Sequence, residues 1–246
     1  MRVLLHGIGG RMGKEVTRRL SEGYKDAALI AGVDGFGAEA PVPCYRSFSE
    51  VREEVDCVID FSHHSLTADL LAYCKQNKLP VVIATTGQTD EEQAMIEEAA
   101  HQIPVFFSKN MSVGIALLCE LAKTAALTFP DADIEIVETH HNRKLDAPSG
   151  TALMLAEAIE SVRAGLNRVL GRSGMKKREK NDIGIHAIRM GNVIGRHEVI
   201  VGTDTQTITL THEAHDRALF AEGAITAGLF LADKPSGLYT MQDMVK

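Results

Sequence analysis

The sequence predicts an α/β chain: a doubly wound parallel sheet first, then a smaller α+β domain with a mostly antiparallel sheet of about four strands. Three observations carry this expectation. Residues 2–6 are a short apolar run that feeds the glycine turn GIGGRMG at 7–13 and a helical stretch to residue 21. Strand-like and helix-like segments then alternate to about residue 111, which implies a parallel sheet covered on both faces. Beyond that point a long helical segment precedes strands joined by short turns, the pattern of an α+β domain.

Taken in order, the first element opens a mononucleotide-binding unit. The glycines read GxxGxxG through Gly7, Gly10 and Gly13, with Met12 where the strict GxGxxG spelling would place its last glycine. Glycines permit the sharp turn and let a pyrophosphate approach the backbone, and the following helix start supplies N–H donors. A second strand at 29–33 ends in Asp34, where a carboxylate would accept hydrogen bonds from ribose hydroxyls. The result is a Rossmann-like unit. Further strands at 57–61, 81–85 and 105–107 alternate with helices near 65–77 and 90–101. Their carboxyl ends carry small or polar residues: Phe61, Ser62 and His63; Ala84, Thr85, Thr86 and Gly87; Ser108, Lys109, Asn110 and Met111. Ligands of such sheets lie at those ends. The adjacent His63 and His64 are read as helix-entry surface rather than metal ligands.

After residue 111 a helix over 113–129 leads to DIEIVETH at 133–140, where Ile134 and Ile136 alternate with Glu135, so one face is covered and one exposed. Next comes HHNRKLDAPSGTA at 140–152. Pro148 and Gly150 interrupt regular structure, Ser149 is a good N-cap, and 151–159 has amphipathic helical spacing. A helix N-terminus beside His140, His141, Arg143 and Lys144 calls for an anion. Residues 164–182 are charged, glycine-containing and aperiodic, and are expected to form an exposed mobile loop with its basic residues solvated. Strands are expected at 184–189, 193–201 and 206–211. His212 and His215 are read as hydrogen-bonded residues at a strand end. A glycine- and alanine-rich helix at 217–232 is apolar enough to need a partner surface, so the tail is expected to return to the first domain. The divisions are therefore 1–111 for dinucleotide binding, 112–216 for the substrate and oligomerisation, and 217–246 for the returning tail.

Composition narrows the function classes. With 246 residues, 45% hydrophobic, the chain can bury a large core. A formal charge of −7 and a pI near 5.8 argue against a general nucleic-acid or membrane-surface binder. Cys44, Cys57, Cys74 and Cys119 show neither CxxC pairing nor zinc spacing and are expected to be reduced and packed. No apolar run approaches the roughly 18 residues of a membrane span, and no leader is read at the N-terminus, so a cytoplasmic location is expected.

The motifs together resemble the dihydrodipicolinate reductases, also called 4-hydroxy-tetrahydrodipicolinate reductases. GxxGRMG, TTG at 85–87, NMSVG at 110–114, ExHHxxKxDAPSGTA at 138–152 and SGLYTM at 236–241 occur in that family's order across nearly the whole chain. The resemblance implies a tetrameric, two-domain reductase of a cyclic unsaturated dicarboxylate that takes hydride from NADH or NADPH. It implies that His140 is the general acid/base and Lys144 a proton donor, with no metal. It implies further that His141, Ser149, Gly150 and Thr151 bind the substrate. The cofactor is then expected along Gly7, Ile8, Gly9, Gly10, Arg11, Met12, Asp34, Ala84, Thr85, Thr86, Ser108, Lys109, Asn110 and Met111. Two departures stand out: ATTG replaces the family's usual GTTG, and Gly35 replaces the basic residue that often follows the ribose-binding acid. A 2′-phosphate so deprived of a local cation predicts that NADH is used at least as well as NADPH. A nicotinamide-binding sensor would leave HHxxK without a task, and an amino-acid dehydrogenase would not be expected to carry DAPSGTA.

Overall fold

The computed structural model describes residues 1–245, which fall into two compact units. Unit 1 joins Met1–Ser112 to Ala218–Met244, and unit 2 is built on Val113–Arg217. In chain order the elements of the first stretch are β1 (Arg2–His6), α1 (Arg11–Ser21), β2 (Ala28–Val33), β3 (Cys44–Tyr45), β4 (Cys57–Asp60), α2 (Thr67–Asn77), β5 (Val81–Ile83), α3 (Asp90–Ala100) and β6 (Pro104–Phe107). Unit 2 contains α4 (Val113–Thr128), β7 (Asp133–His140), α5 (Gly150–Glu160), β8 (Asn167–Leu170), β9 (Asp182–Arg189), β10 (Gly195–Gly202) and β11 (Thr207–Ala214). The chain ends with α6 (Ala218–Leu231) and β12 (Gly237–Tyr239) in unit 1.

The seven strands of unit 1 run parallel in the order β12-β6-β5-β4-β1-β2-β3. Continuous apolar runs explain why they are central: Val3, Leu4, Leu5, Val58, Ile59 and Val81 to Ile83 are all fully buried. On one face, Leu70, Leu71 and Cys74 of α2 and Ile96 and Ala99 of α3 pack on Leu4, Val58, Val81 and Val105. On the other, α6 lies over β4 to β6, where Phe230 meets Phe106 edge-on at 6.2 Å. The chain leaves β1 toward β2 on one side and later fills β4 on the other. That reversal opens a crevice at the carboxyl ends of β1 and β4, directly above the glycine turn. The edge strands β3 and β12, two and three residues long, fall in stretches where the sequence shows no period-two pattern.

Unit 2 has a five-stranded mixed sheet in the order β11-β10-β7-β9-β8. Pairs β10–β11 and β10–β7 are antiparallel, while β7–β9 and β8–β9 are parallel. Ile134, Ile136, Ile183, Ile185, Val199 and Val201 face Ala122, Leu155, Ala156 and Ile159 of α4 and α5. Two expectations need correction. Residues 164–182 are not all loop: β8 lies there, and Arg172 and Arg178 are ion-paired to Glu135, Asp182 and Asp133 at 2.7–3.3 Å. Those acids lie far off in sequence or at the segment's own end, so a local reading sees only unpaired charge. The turn between β9 and β10 also makes no hairpin. These strands flank β7 on opposite sides, which makes the sheet evenly mixed rather than mostly antiparallel. Residues 190–194 arch over the end of β7, where His141 N donates to Val193 O at 2.7 Å and Met190 N to His140 O at 2.9 Å.

Candidate active site

The chemistry of unit 2 follows from the alternation in β7. Side chains two residues apart share a face, so the inward row begun by Ile134 and Ile136 continues with Glu138 and His140. Glu138 has no exposed surface, and a lone carboxylate there would be strongly disfavoured. It is fully partnered instead. Arg189, from the end of β9, binds both carboxylate oxygens at 2.8 Å, and Ser149 N donates to Oε1 at 2.9 Å. His140 Nδ1 lies 2.6 Å from Oε2. Burial alone pushes the Glu138 carboxyl up, but His140, the guanidinium and the Ser149 amide outweigh it and hold it at about 2. An ionised acceptor at that distance requires the proton of neutral His140 to sit on Nδ1, which leaves Nε2 as the nitrogen for a reactant.

Space at Nε2 is kept by Gly195, the residue before Arg196, which pairs with Thr139 across β7 and β10: a Cβ at Gly195 would stand 3.1 Å from that nitrogen. His197, two residues along β10, meets the His140 ring edge-on at 5.1 Å, and its Nε2 lies 3.1 Å from Ser149 Oγ. Burial first, then the charge that a protonated His140 would place beside it, lowers the His197 pKa to about 3, so the His197 ring is neutral at physiological pH. Ser149 caps α5 by accepting from Ala152 N at 3.2 Å, which fixes the start of the helix beside His140. No acidic residue occupies the first turn of α5, and Gly150 is exposed with open space where a Cβ would be.

The rest of the cationic cluster divides. Lys144 Nζ pairs with Asp146 at 2.8 Å, and the Asp146 carbonyl accepts from Arg189 at 2.6 Å, so Asp146 orients Lys144 and joins the loop to the Glu138 clamp. Arg143 is drawn away to Asn192 Oδ1 at 2.6 Å. Partial burial lowers the His141 pKa, and the charges of Arg143, Arg217 and Lys144 act in the same direction. Arg217 thus adds to the positive field. Glu138, Arg189, Gly195, His197 and Arg217 all escape the local reading of the sequence. Only Glu138 left a signal, its place in the alternation of β7.

In unit 1 the expected cofactor residues gather at the carboxyl ends of β1, β2, β5 and β6. Gly7 adopts φ +80°, and a Cβ there would meet Phe61 O at 2.6 Å, while one at Gly13 would meet Gly7 O at 2.2 Å. The helix α1 has no side-chain cap and no acid in its first turn, so its amides face an open cleft of about 850 Å³ bordered by Gly9, Gly10 and Asp34. Asp34 accepts from Gly9 N at 3.0 Å and Phe36 N at 3.1 Å. Arg11 is exposed at the start of α1 and Met12 half-buried beside it. Ile8 turns its side chain inward against Gly32, leaving its backbone to the loop. Beyond β5, Ala84 and exposed Thr86 flank Thr85, which is 7% exposed and whose hydroxyl has no hydrogen-bond partner among the described residues. Ser108 Oγ donates to Asn110 O at 2.8 Å to shape the loop after β6, with Lys109 exposed. Met111 is buried, its carbonyl pressed against Gly223 of α6, so its side chain serves packing. His64 is bound by Glu92 of the α3 capping box at 2.9 Å, and His63 by Ser65.

Residues 1–111 match the protein-family model described as dihydrodipicolinate reductase, N-terminus, and residues 114–245 match the one described as its C-terminus. The chain belongs to the dihydrodipicolinate reductase family. It is similar to the 4-hydroxy-tetrahydrodipicolinate reductase of Caldanaerobacter subterraneus subsp. tengcongensis, 46% identical over 248 residues, with 100% of this chain and 98% of the relative covered. The enzyme of that name from Clostridium novyi is 43% identical with the same coverage. Among solved structures, a dipicolinate-bound dihydrodipicolinate reductase from Paenisporosarcina sp. TG-14 superposes with a TM-score of 0.82, at 27% identity and 99% coverage of both chains. An engineered D-amino acid dehydrogenase bound to NADP+ shares the fold alone, at 13% identity and a TM-score of 0.60. As a dihydrodipicolinate reductase family member the chain is an oxidoreductase with a Rossmann-type nicotinamide-cofactor fold. Among the described residues no helix is long and apolar enough to cross a membrane.

Proposed function

We propose that the chain reduces 4-hydroxy-tetrahydrodipicolinate to tetrahydrodipicolinate in diaminopimelate and lysine biosynthesis, as the names of its relatives describe for them. The observation that carries this reading is the His140–Glu138 pair set beside Lys144 and the Ser149–Gly150–Thr151 helix start. In net terms one hydride and one proton enter and water leaves. His141, Ser149, Gly150 and Thr151 hold the dicarboxylate at the positive end of α5. His140 exchanges a proton through Nε2, and Lys144, oriented by Asp146, donates one. Residues 1–111 with the returning tail carry the dinucleotide, and 112–216 carry the substrate and the contacts of a cytoplasmic homotetramer.

The glycine cradle, the acid-free start of α1 and the orphaned Thr85 hydroxyl fit a nicotinamide dinucleotide. That cofactor supplies the hydride when bound. Asp34 receives the ribose hydroxyls, and with Gly35 beside it NADH serves at least as well as NADPH. The test is a coupled assay that supplies the synthase product of pyruvate and aspartate semialdehyde and follows NADH and NADPH absorbance at one ionic strength. Turnover with an NADH kcat/KM equal to or above that for NADPH is expected. No turnover by folded protein would overturn the reaction, and a strong NADPH preference would overturn the cofactor assignment.

The gap at Gly195 gives a second expectation. Gly195→Ala places a methyl group against His140 Nε2, where the neighbours have little room to yield. Its kcat should fall at least about tenfold, with a stability loss of roughly 1–3 kcal/mol from overpacking. Steady-state kinetics alongside a thermal melt separate the two effects.

A further inference from the structure

We infer that Arg46 is the residue that admits NADPH, by holding its 2′-phosphate beside Asp34; this rests on unit 1 being the nicotinamide-dinucleotide site. The sequence offers no cation next to Asp34, because Gly35 follows it. The sheet supplies one from the neighbouring strand. β2 and β3 are parallel with Val33 opposite Tyr45, and Asp34 N donates to Tyr45 O at 2.9 Å. Asp34 and Arg46 therefore leave the sheet side by side, at the roughly 4.8 Å spacing of adjacent strands.

The turn after β2 leaves room for the guanidinium. Gly37 N donates to Asp34 O at 2.8 Å, closing the turn. A Cβ at Gly35 would meet nothing within 4 Å, and one at Gly37 would meet only Arg46 Nε, at 3.9 Å. The guanidinium thus lies against the turn that begins at the ribose-binding acid. Arg46 is exposed and has no ion-pair partner among the described residues. The nearby carboxylate of Glu50 instead accepts from the Arg46 backbone amide at 3.0 Å. The carboxylate of Asp34 is held toward Gly9 N and Phe36 N, so its charge is engaged at the glycine loop. Phe36, 98% exposed on the same turn, offers a bare ring face for the purine of the same nucleotide. An arginine fork matches a phosphate dianion in shape and charge, and a nearby arginine is how this class of fold accommodates a 2′-phosphate. Arg46 thus does from β3 what a basic residue at position 35 would do from β2.

The experiment measures the dissociation constants of NADH and NADPH by cofactor fluorescence on the full chain, for wild type, Arg46→Ala and Arg46→Lys. Displacement by ADP and by 2′,5′-ADP isolates the phosphate. For Arg46→Ala the NADPH constant should rise roughly ten- to a hundredfold relative to that of NADH, the size expected for losing a charged hydrogen-bonding partner. Arg46→Lys should fall between, and added salt should weaken NADPH more than NADH in wild type only. An unchanged NADPH/NADH ratio in Arg46→Ala would overturn the inference, as would wild-type protein that binds NADH but not NADPH. Wild-type protein that binds neither dinucleotide would overturn the reading of unit 1 and the inference with it.

Discussion

Replacing His140 by Gln is expected to lower kcat by about 10²–10⁴-fold, the usual contribution of a positioned acid/base, while NADH affinity is unchanged. Glutamine is polar and close to histidine in size but does not titrate, so the substitution removes the ring proposed to exchange the proton while limiting the disturbance of the core. Lys144→Ala should lower kcat in the same way if the side chain held by Asp146 donates a proton as proposed. Stopped-flow turnover and cofactor fluorescence on the same preparations check both. A loss of NADH affinity in either variant would mean that unit 2, rather than unit 1, holds the cofactor.

Glu138→Ala is expected to be the most destabilising single change in unit 2, by roughly 3–5 kcal/mol, because it strands a partly buried guanidinium whose two best acceptors vanish. Glu138→Gln keeps the shape and isolates the charge. With a neutral amide the His140 ring loses the acceptor that fixes its proton on Nδ1, so nitrogen NMR of labelled histidine should show a mixture of tautomers, and kcat should fall although the protein remains folded. A single unchanged tautomer would show that Glu138 only fills space. The same carboxylate gives a pH dependence of stability. Its pKa is depressed in the folded state, to about 2, so its contribution is present above the ordinary glutamate range near 4.3 and is lost as pH falls through that window. Acid unfolding of wild type should therefore have a component between about pH 4 and 2 that Glu138→Gln lacks.

The parts legible in the sequence are those where one local rule acts alone. A strand, a glycine turn and a helix start within twenty residues have few alternative packings, and the apolar runs of β4 and β5 identify central parallel strands directly. The loop HHNRKLDAPSGTA announces itself by charge and by its N-cap. What stayed hidden depends on residues far apart. Arg189 reaches Glu138 from a strand about fifty positions away, and Gly195 matters only because the pairing of β10 with β7 brings it beside the His140 ring. The strand β8 carries only Val169 and Leu170 as an apolar signal and is joined by arginines whose carboxylates lie elsewhere. The placement of β7 between β9 and β10 is likewise invisible to a turn reading, since five residues can close a hairpin or cross one strand equally well. Glu138 is the instructive case. The rule that covers Ile134 and Ile136 reaches it unchanged, but a carboxylate on an inward position reads as an exception until its partners are seen.

The split of unit 1 between Met1–Ser112 and Ala218–Met244 sets an order of events during synthesis. Six of the seven strands of its sheet leave the ribosome first, yet β6 lacks its neighbour β12 and the face over β4 to β6 lacks α6 until residues 218–239 have been made. Unit 2 has all its elements by Arg217 and is able to condense while unit 1 is still waiting. The nascent chain therefore carries an unsealed apolar face throughout translation of the inserted unit, and a ribosome that stalls within α6 releases a protein with a finished unit 2 and an unfinished unit 1.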